Sequence, residues 1–427
     1  MKLHDLTATQ IVEAIADKKT TAEAVARDCL EHIEAREPQV KAWHYLDPDA
    51  VIKQARAVDA RASIGALHGV PVGIKDIIDT CDMPTEYGTP IHQGHRPRVD
   101  AAVVALTRRA GGLIMGKTVT TEFANRHPGK TSHPQDPART PGGSSSGSAA
   151  AVGDHMVPLA LGTQTTGSTI RPAAYCGCVG YRPTWGEIRC SGVMEAAGSL
   201  DTLGLIARSV EDIVLYKDVM MGIEPQRLSP TLMQPPRIGF CKTHFWDQCD
   251  LTTQKSLEDC AEHLARAGAK VSAVTLPAEF EQVEQAHRWV SSFEFARNRA
   301  WEIDHHYSSI SQTLRDNRLK DGLACSIQTY RQSRQILARL RRSMHDVIND
   351  FDVLLVPATS GEAPLGLNAT GNASHCLIWT STHVPSMTLP LFKGPHGLPV
   401  GAQLIAARNN DRLLFEAARW VHKQFLA

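Results

Sequence analysis

Three places in the 427-residue chain combine residue types that can do chemistry. The first is Lys75, at the end of the run Gly69-Val70-Pro71-Val72-Gly73-Ile74-Lys75. Burying an ammonium after such an apolar run is costly unless it is paired or neutral. Neutralised by desolvation, a lysine becomes a usable base. The alternative is a surface lysine snorkelling from a strand end. The second place is Thr140-Pro141-Gly142-Gly143-Ser144-Ser145-Ser146-Gly147-Ser148. Alone it reads as a flexible linker. However, Ala149-Ala150-Ala151-Val152 follows at once, and a linker does not normally run straight into core sequence. Glycines beside serines let the backbone pass close to a reacting centre. The third is Gly162-Thr163-Gln164-Thr165-Thr166-Gly167-Ser168-Thr169-Ile170-Arg171-Pro172, a hydroxyl-rich turn after a strand. Backbone N–H groups of Thr165, Thr166, Gly167 and Ser168 can form a nest for a developing oxyanion. A plain β-turn rich in Thr and Gly is the alternative.

A fourth pattern is rejected on physical grounds. Gly111-Gly112-Leu113-Ile114-Met115-Gly116-Lys117-Thr118 satisfies the spacing of a phosphate-binding P-loop. Such a loop follows a strand and wraps a phosphate in backbone N–H groups. Here the preceding stretch reads as helix, and Leu113 to Met115 would be bulky apolar residues set around an anion. A nucleotide-binding protein is therefore the disfavoured rival.

The elements that must position these residues alternate in type. The first sixty residues read as helices, with Ile11, Val12 and Ile15 at helical spacing. Thr20-Thr21-Ala22-Glu23 resembles a capping box opening a second helix through Val25, Cys29 and Ile33. Asp100 is placed to cap a helix over Ala101 to Arg109. Ser209, with Asp212 three residues on, opens another. Strands are expected at the Gly69–Lys75 run, Leu113 to Met115, Val157 to Leu161, Arg237 to Phe240, Val271 to Leu276, Val353 to Val356, Met387 to Leu389 and Val400 to Ile405. Glu281 to Asp350 is helical in pattern. This alternation predicts a layered α/β protein with a largely buried sheet. Glu224 to Pro236, with four prolines, reads as a crossing within one domain spanning residues 1–427.

Composition narrows the classes. Hydrophobic residues make up 42% and charged ones 21%, which is globular, and 45 basic residues balance 45 acidic ones. No like-charge block suggests a nucleic-acid surface or a membrane patch. The N-terminus lacks an apolar signal stretch, and no run of 18 or more apolar residues occurs, which argues against a membrane span. Cys176 and Cys178 make only C-x-C with no second pair, so no zinc site is expected. The nineteen histidines form no H-E-x-x-H pattern, and His305-His306 reads as a polar helix face. Ten scattered cysteines fit reduced thiols in a cytoplasm.

Taken in order, Gly69 to Asp76, Gly142 to Ala150 and Gly162 to Gly177 resemble the amidase signature family. Ser199-Leu200-Asp201-Thr202-Leu203-Gly204, Pro357-Ala358 and Gly397 to Gln403 are further family-like stretches. The resemblance covers nearly the whole chain and is weakest over about 224–350, a helix-rich, less typical insert. It implies the amidase signature fold, a large twisted mixed β-sheet covered by helices on both faces. It also implies cleavage of a C–N amide bond through an acyl-enzyme, with no metal or organic cofactor. By position, the family's base falls on Lys75, its nucleophile on Ser168, and its bridging serine, after a cis peptide, on Ser144. Ser145 is the competitor for that bridge. A homodimer is the family-level expectation, and a small accessory subunit is a further option.

Three residues depart from the common pattern. Gln164 stands where many members have Asp, Ile77 replaces a frequent Asn, and the arginine after the nucleophile moves from position 170 to Arg171. Gln164 and the Thr-Ile-Arg-Pro order resemble a branch that includes malonamidase and carboxybiuret hydrolase. There the arginine clamps a substrate carboxylate, so Arg171 suggests a small acidic amide. A structural arginine holding carbonyls is the equal alternative. Gly143, Tyr175, Trp185 and Thr370-Gly371-Asn372 are candidates to line the acyl pocket, with core packing the other role for Tyr175. Aryl amides and carbamates stay open. The family's ammonia-delivering subunits for a tRNA-linked acid are disfavoured by the neutral charge and the atypical turn.

Overall fold

The computed structural model describes residues 2–61 and 65–425. Its strands are β1 (Trp43–Leu46), β2 (Pro71–Lys75), β3 (Leu113–Thr118), β4 (Leu159–Gln164), β5 (Val179–Arg182), β6 (Thr202–Ala207), β7 (Arg237–Cys241), β8 (Lys270–Val274), β9 (Val353–Pro357), β10 (Ser386–Lys393) and β11 (Pro399–Ile405). They form one 11-stranded sheet in the order β1-β3-β2-β4-β6-β5-β10-β11-β9-β7-β8. The sheet is mixed: β2 runs parallel to both β3 and β4, whereas β4 runs antiparallel to β6. Strands from both sides of the proline-rich connector belong to it, because β7 pairs with β9 and β8 beyond that segment.

Both faces of the sheet's central strands are buried, and β9 shows why its sequence is continuously apolar. Successive side chains of a strand point to opposite faces. Val353 and Leu355 join one apolar core, while Leu354 and Val356 join another. Ala402 and Leu404 of β11 lie in the first core and Ile405 in the second. Helices supply the outer layers, among them Ser146–Gly153 against β4 and Val210–Met221 against β6.

Several local expectations are refined. Thr21 caps the helix Ala22–Val40 by accepting from Ala24 N–H, but Glu23 pairs with Arg27 and Arg56 instead of closing a box. The reciprocal box occurs at Thr7 and Gln10, opening Ala8–Ala16. Asp100 does not cap Ala102–Arg109; its carboxylate accepts from Cys81 N–H and Arg108 Nε. Ser209 caps Val210–Met221 as expected. Three strands were not legible. β1 follows two helices within the segment read as wholly helical. β5 is only four residues long. β6 is interrupted by Gly204, where a Cβ would lie 1.9 Å from Thr169 Oγ1. The Gly111–Thr118 segment is no loop: β3 runs through it, and fully buried Lys117 lies 3.2 Å from Asp76 Oδ1. No described helix is long and apolar enough to cross a membrane.

Candidate active site

Two parallel neighbours, β2 and β4, pair Ile74 with Leu161, so their C-terminal ends open on the same edge of the sheet. That edge is where side chains can gather outside a packed α/β core. Lys75 ends β2, and the Thr165–Ser168 turn follows β4. The Gly142–Ser145 loop comes in over both before the helix Ser146–Gly153 begins. The segment is core, not linker: the side chains from Ser144 to Val152 are buried, and a Cβ on Gly147 would lie 2.2 Å from Ala42 O.

Lys75 Nζ stands 2.7 Å from Ser144 Oγ and 2.8 Å from Thr163 Oγ1. The peptide between Gly143 and Ser144 is cis. Ser145 does not compete for Lys75, because its hydroxyl donates to Thr163 O and accepts from Thr163 N–H. Lys75 is fully buried, and desolvation pushes its ammonium down to about 7, with Asp201 pulling weakly the other way. The adjacent Asp76 cannot hold the proton on Lys75, since its carboxylate faces Lys117. A lysine left with hydroxyl partners in a dry site is a base near neutral pH. Ser168 is half-buried, and its carbonyl accepts at 3.2 Å from the N–H of Ser145, the residue that follows Ser144.

The turn after β4 is anchored through its carbonyls. Thr165 O accepts from His287 Nε2 at 2.9 Å and Thr166 O from the Thr380 hydroxyl at 2.6 Å. Gly167 O accepts from Arg171 N–H at 3.0 Å. Across a planar trans peptide the C=O and the following N–H point in opposite directions. Tying these carbonyls to the framework therefore turns the N–H groups of Thr166, Gly167 and Ser168 the other way. None of the three donates a turn or loop hydrogen bond among the described residues. Such a row of fixed donors suits a developing oxyanion. Burial pushes His287 down to about 4, so it serves as a neutral donor. The Thr165 hydroxyl donates to Asp201, whose other oxygen accepts from Ala196 and Ala197 N–H.

Gln164 explains one departure from the family pattern. Its Oε1 accepts from Thr169 N–H at 2.9 Å and Ile170 N–H at 3.0 Å, and its Nε2 donates to Thr380 Oγ1. A neutral amide thus caps the start of Ile170–Cys176 and ties it to the residue that anchors the turn. Arg171 donates to Gly371 O and to Gly143 O, each at 2.6 Å, and to Thr370 Oγ1 at 3.2 Å. This is the carbonyl-holding arrangement, and Gly143 and Thr370 are its partners. Thr370 also lines a cavity of about 470 Å³ with Thr165, Thr166, Ser168, Arg171, Gly371 and Asn372. Tyr175 and Trp185 are not part of that wall. Tyr175 is buried beneath Gly142 and Gly371, and Trp185 stacks on His383 at 4.5 Å. Sequence reasoning missed His287 and Thr380, which carry no motif. Thr163 and Asp201 stood within family-like stretches, without a role.

A comparison with family models matches residues 24–415 to the family described as Amidase. The glutamyl-tRNA(Gln) amidotransferase A subunit of Chloroflexus aggregans is 31% identical over 95% of this chain and 93% of its own. A crystal structure of an amidase superposes with a TM-score of 0.91 at 28% identity, covering 98% of this chain and 100% of the other. A protein from a vestigial complex that reveals the evolutionary origins of an s-triazine catabolic enzyme, with inhibitor bound, gives 0.88 at 26% identity, covering 98% of each chain. The family match, the sequence relatives and the superposed structures agree: the chain belongs to the amidase family and is a hydrolytic enzyme that cleaves C–N amide bonds.

Proposed function

We propose that this chain hydrolyses a small amide through an acyl-enzyme on Ser168, with Ser144 as proton relay and Lys75 as base. The observation that carries the reading is the 2.7 Å contact between the buried Lys75 amine and the Ser144 hydroxyl. Neutral Lys75 takes the Ser144 proton as Ser144 takes that of Ser168, and the Ser168 oxygen adds to the amide carbonyl. The N–H groups of the Thr165–Ser168 turn receive the negative oxygen. Collapse breaks the C–N bond. Ser144 donates a proton to the departing nitrogen and is reprotonated from Lys75, because an amide anion is a poor leaving group. Water then adds to the acyl carbon by the same relay and frees the acid. No step calls for a metal or organic cofactor. The reading is tested by ammonia release from a panel of small amides, including malonamate-like, carboxybiuret-like, aryl and carbamate compounds, supplied to the isolated chain. Release that disappears in Ser168→Ala supports it; undiminished release in that variant refutes it.

The amidotransferase relatives favour a second reading, in which the chain works with a small accessory subunit. Turnover by the isolated chain, as a monomer or a homodimer, separates the two. Activity that appears only when glutamine and a partner protein are both added favours the second.

A further inference from the structure

Lys117, the lysine of the Gly111–Thr118 pattern, is fully buried on the strand next to that of Lys75. β2 and β3 pair in parallel, with Ile74 opposite Lys117 and Lys75 opposite Thr118. Lys117 Nζ donates to Thr85 Oγ1 at 2.6 Å and to Pro84 O at 3.2 Å, and it lies 3.2 Å from Asp76 Oδ1. Asp76 directly follows the base and is itself buried. Its Oδ2 accepts from Glu86 N–H at 3.1 Å, whereas Oδ1 accepts no hydrogen bond among the described residues and is answered by the ion pair with Lys117. The backbone of Asp76 is clamped as well: its N–H donates to Thr118 O and its C=O accepts from Tyr87 N–H, each at 3.0 Å. Burial pushes the Asp76 carboxyl up and the Lys117 amine down, and each pulls the other back toward its charged form. The other titratable groups around the pair are engaged or act from farther off. His44 of β1 stands 3.7 Å from Asp76 Oδ2 but 2.5 Å from Glu86 Oε2. Asp79, Asp82 and Tyr87, in the loop after β2, act through space, and His95 reaches only Asp79. On the other side of Lys75, Asp201 is held by Thr165 and two backbone N–H groups.

We infer that Lys117 is a positioning residue for the base: by pairing with Asp76 it keeps that carboxylate's charge off the neighbouring Lys75 amine. This inference rests on the reading of Lys75 as the base of a serine hydrolase. Consecutive residues have Cα atoms about 3.8 Å apart. An unanswered carboxylate on Asp76 would therefore act on Lys75 at short range and favour its ammonium form. A base that must take a proton near neutral pH works only if no such partner holds one on it. Lys117 thus serves the reaction from behind the catalytic row, through Asp76 and without touching substrate.

The test follows, as a function of pH, the rate at which a fluorophosphonate labels Ser168 in the full chain. In the wild type the rate should rise with a midpoint near 7. In Lys117→Gln, whose amide can still donate to Thr85, the midpoint should move up by about one pH unit or more. In the double variant Asp76→Asn with Lys117→Gln neither charge remains, and the midpoint should return to about 7. Replacing both members of a buried ion pair is tolerated far better than removing one. A merely structural role would lower the rate in every variant without moving the midpoint. An unmoved midpoint in Lys117→Gln overturns the inference, and so does a double variant whose midpoint stays as high as that of Lys117→Gln. Asp76→Asn alone leaves the charge of Lys117 unanswered and should move the midpoint below that of the wild type. That arm keeps the test sound should Lys117→Gln fold poorly, and an unmoved midpoint there overturns the inference as well. Absence of labelling at Ser168 in the wild type defeats the hydrolase reading itself, and a wild-type rate that does not change with pH defeats the assignment of Lys75 as base; either result takes the inference down with it.

Discussion

Lys75 Nζ and Ser144 Oγ meet at 2.7 Å although 69 positions separate them in the chain. The contact exists because β2 and β4 are parallel partners and the Gly142–Ser145 loop crosses their shared edge. The adjacent Asp76 is answered by Lys117, so nothing stronger than hydroxyls and the weaker field of Asp201 holds the proton on Lys75.

The first prediction concerns pH. Lys75 must be neutral to act as base, and its amine titrates near 7. Hydrolysis should therefore be weak near pH 5, rise through about pH 7 and level off above it, with no histidine required. Lys75→Ala should lower kcat by roughly 10²–10⁴-fold and abolish that rise. Stability carries the same sign. The unfolded chain holds the Lys75 proton more tightly, from about 7 up to the ordinary 10.5, so the native state gains stability as pH rises across that window. Wild type measured against Lys75→Met by urea unfolding should show the gain. A flat pH–rate profile would contradict the assignment.

Thr380→Val removes the donor that fixes Thr166 O. The turn keeps its other anchors at His287 and Arg171, so its N–H groups should loosen without being lost. The expected cost is about tenfold in kcat, smaller than the roughly 10²–10³-fold of deleting an oxyanion donor outright, with KM little changed. Steady-state kinetics decides it, and a change confined to KM would place Thr380 in substrate binding instead.

Gln164→Leu leaves the N–H groups of Thr169 and Ile170 without their acceptor in a buried place. Each unsatisfied donor costs about 1–3 kcal/mol. Urea denaturation should show a loss of that order, with the midpoint lowered and the slope unchanged. An unaltered midpoint would mean that the amide cap contributes nothing.

Arg171→Ala breaks the link between Gly143 O and Gly371 O. If holding these carbonyls is its role, turnover of carboxylate-bearing and neutral amides should fall together, roughly tenfold or more, as expected when a 1 Å misplacement spoils alignment. Selective loss of the acidic amides would instead make Arg171 a direct substrate contact.

Much of this site could be read from the chain because its chemistry sits in local motifs. A lysine after an apolar run, serines after paired glycines, and a Thr/Gly turn after a strand each carry a signal of their own. The central strands β2, β3, β4, β9 and β11 were visible for a similar reason, since burial on both faces leaves short continuous apolar runs. What stayed hidden depends on contacts between distant segments. His287 and Thr380 look like ordinary helix residues until packing sets them against the carbonyls of Thr165 and Thr166. Arg171 showed a guanidinium in sequence but not its acceptors, which lie 28 and 200 residues away. Likewise, Gly204 obscured β6, although close approach to Thr169 is what requires a glycine there.

The central claim is that Ser168 forms the acyl-enzyme, and covalent trapping tests it most directly. The chain is incubated with a fluorophosphonate, and intact mass is followed by peptide mapping. One adduct is expected, on the peptide holding Ser168, formed faster as pH rises through about 7 and absent in Ser168→Ala. An adduct that forms equally in Ser168→Ala, or that maps to another residue, would contradict the account.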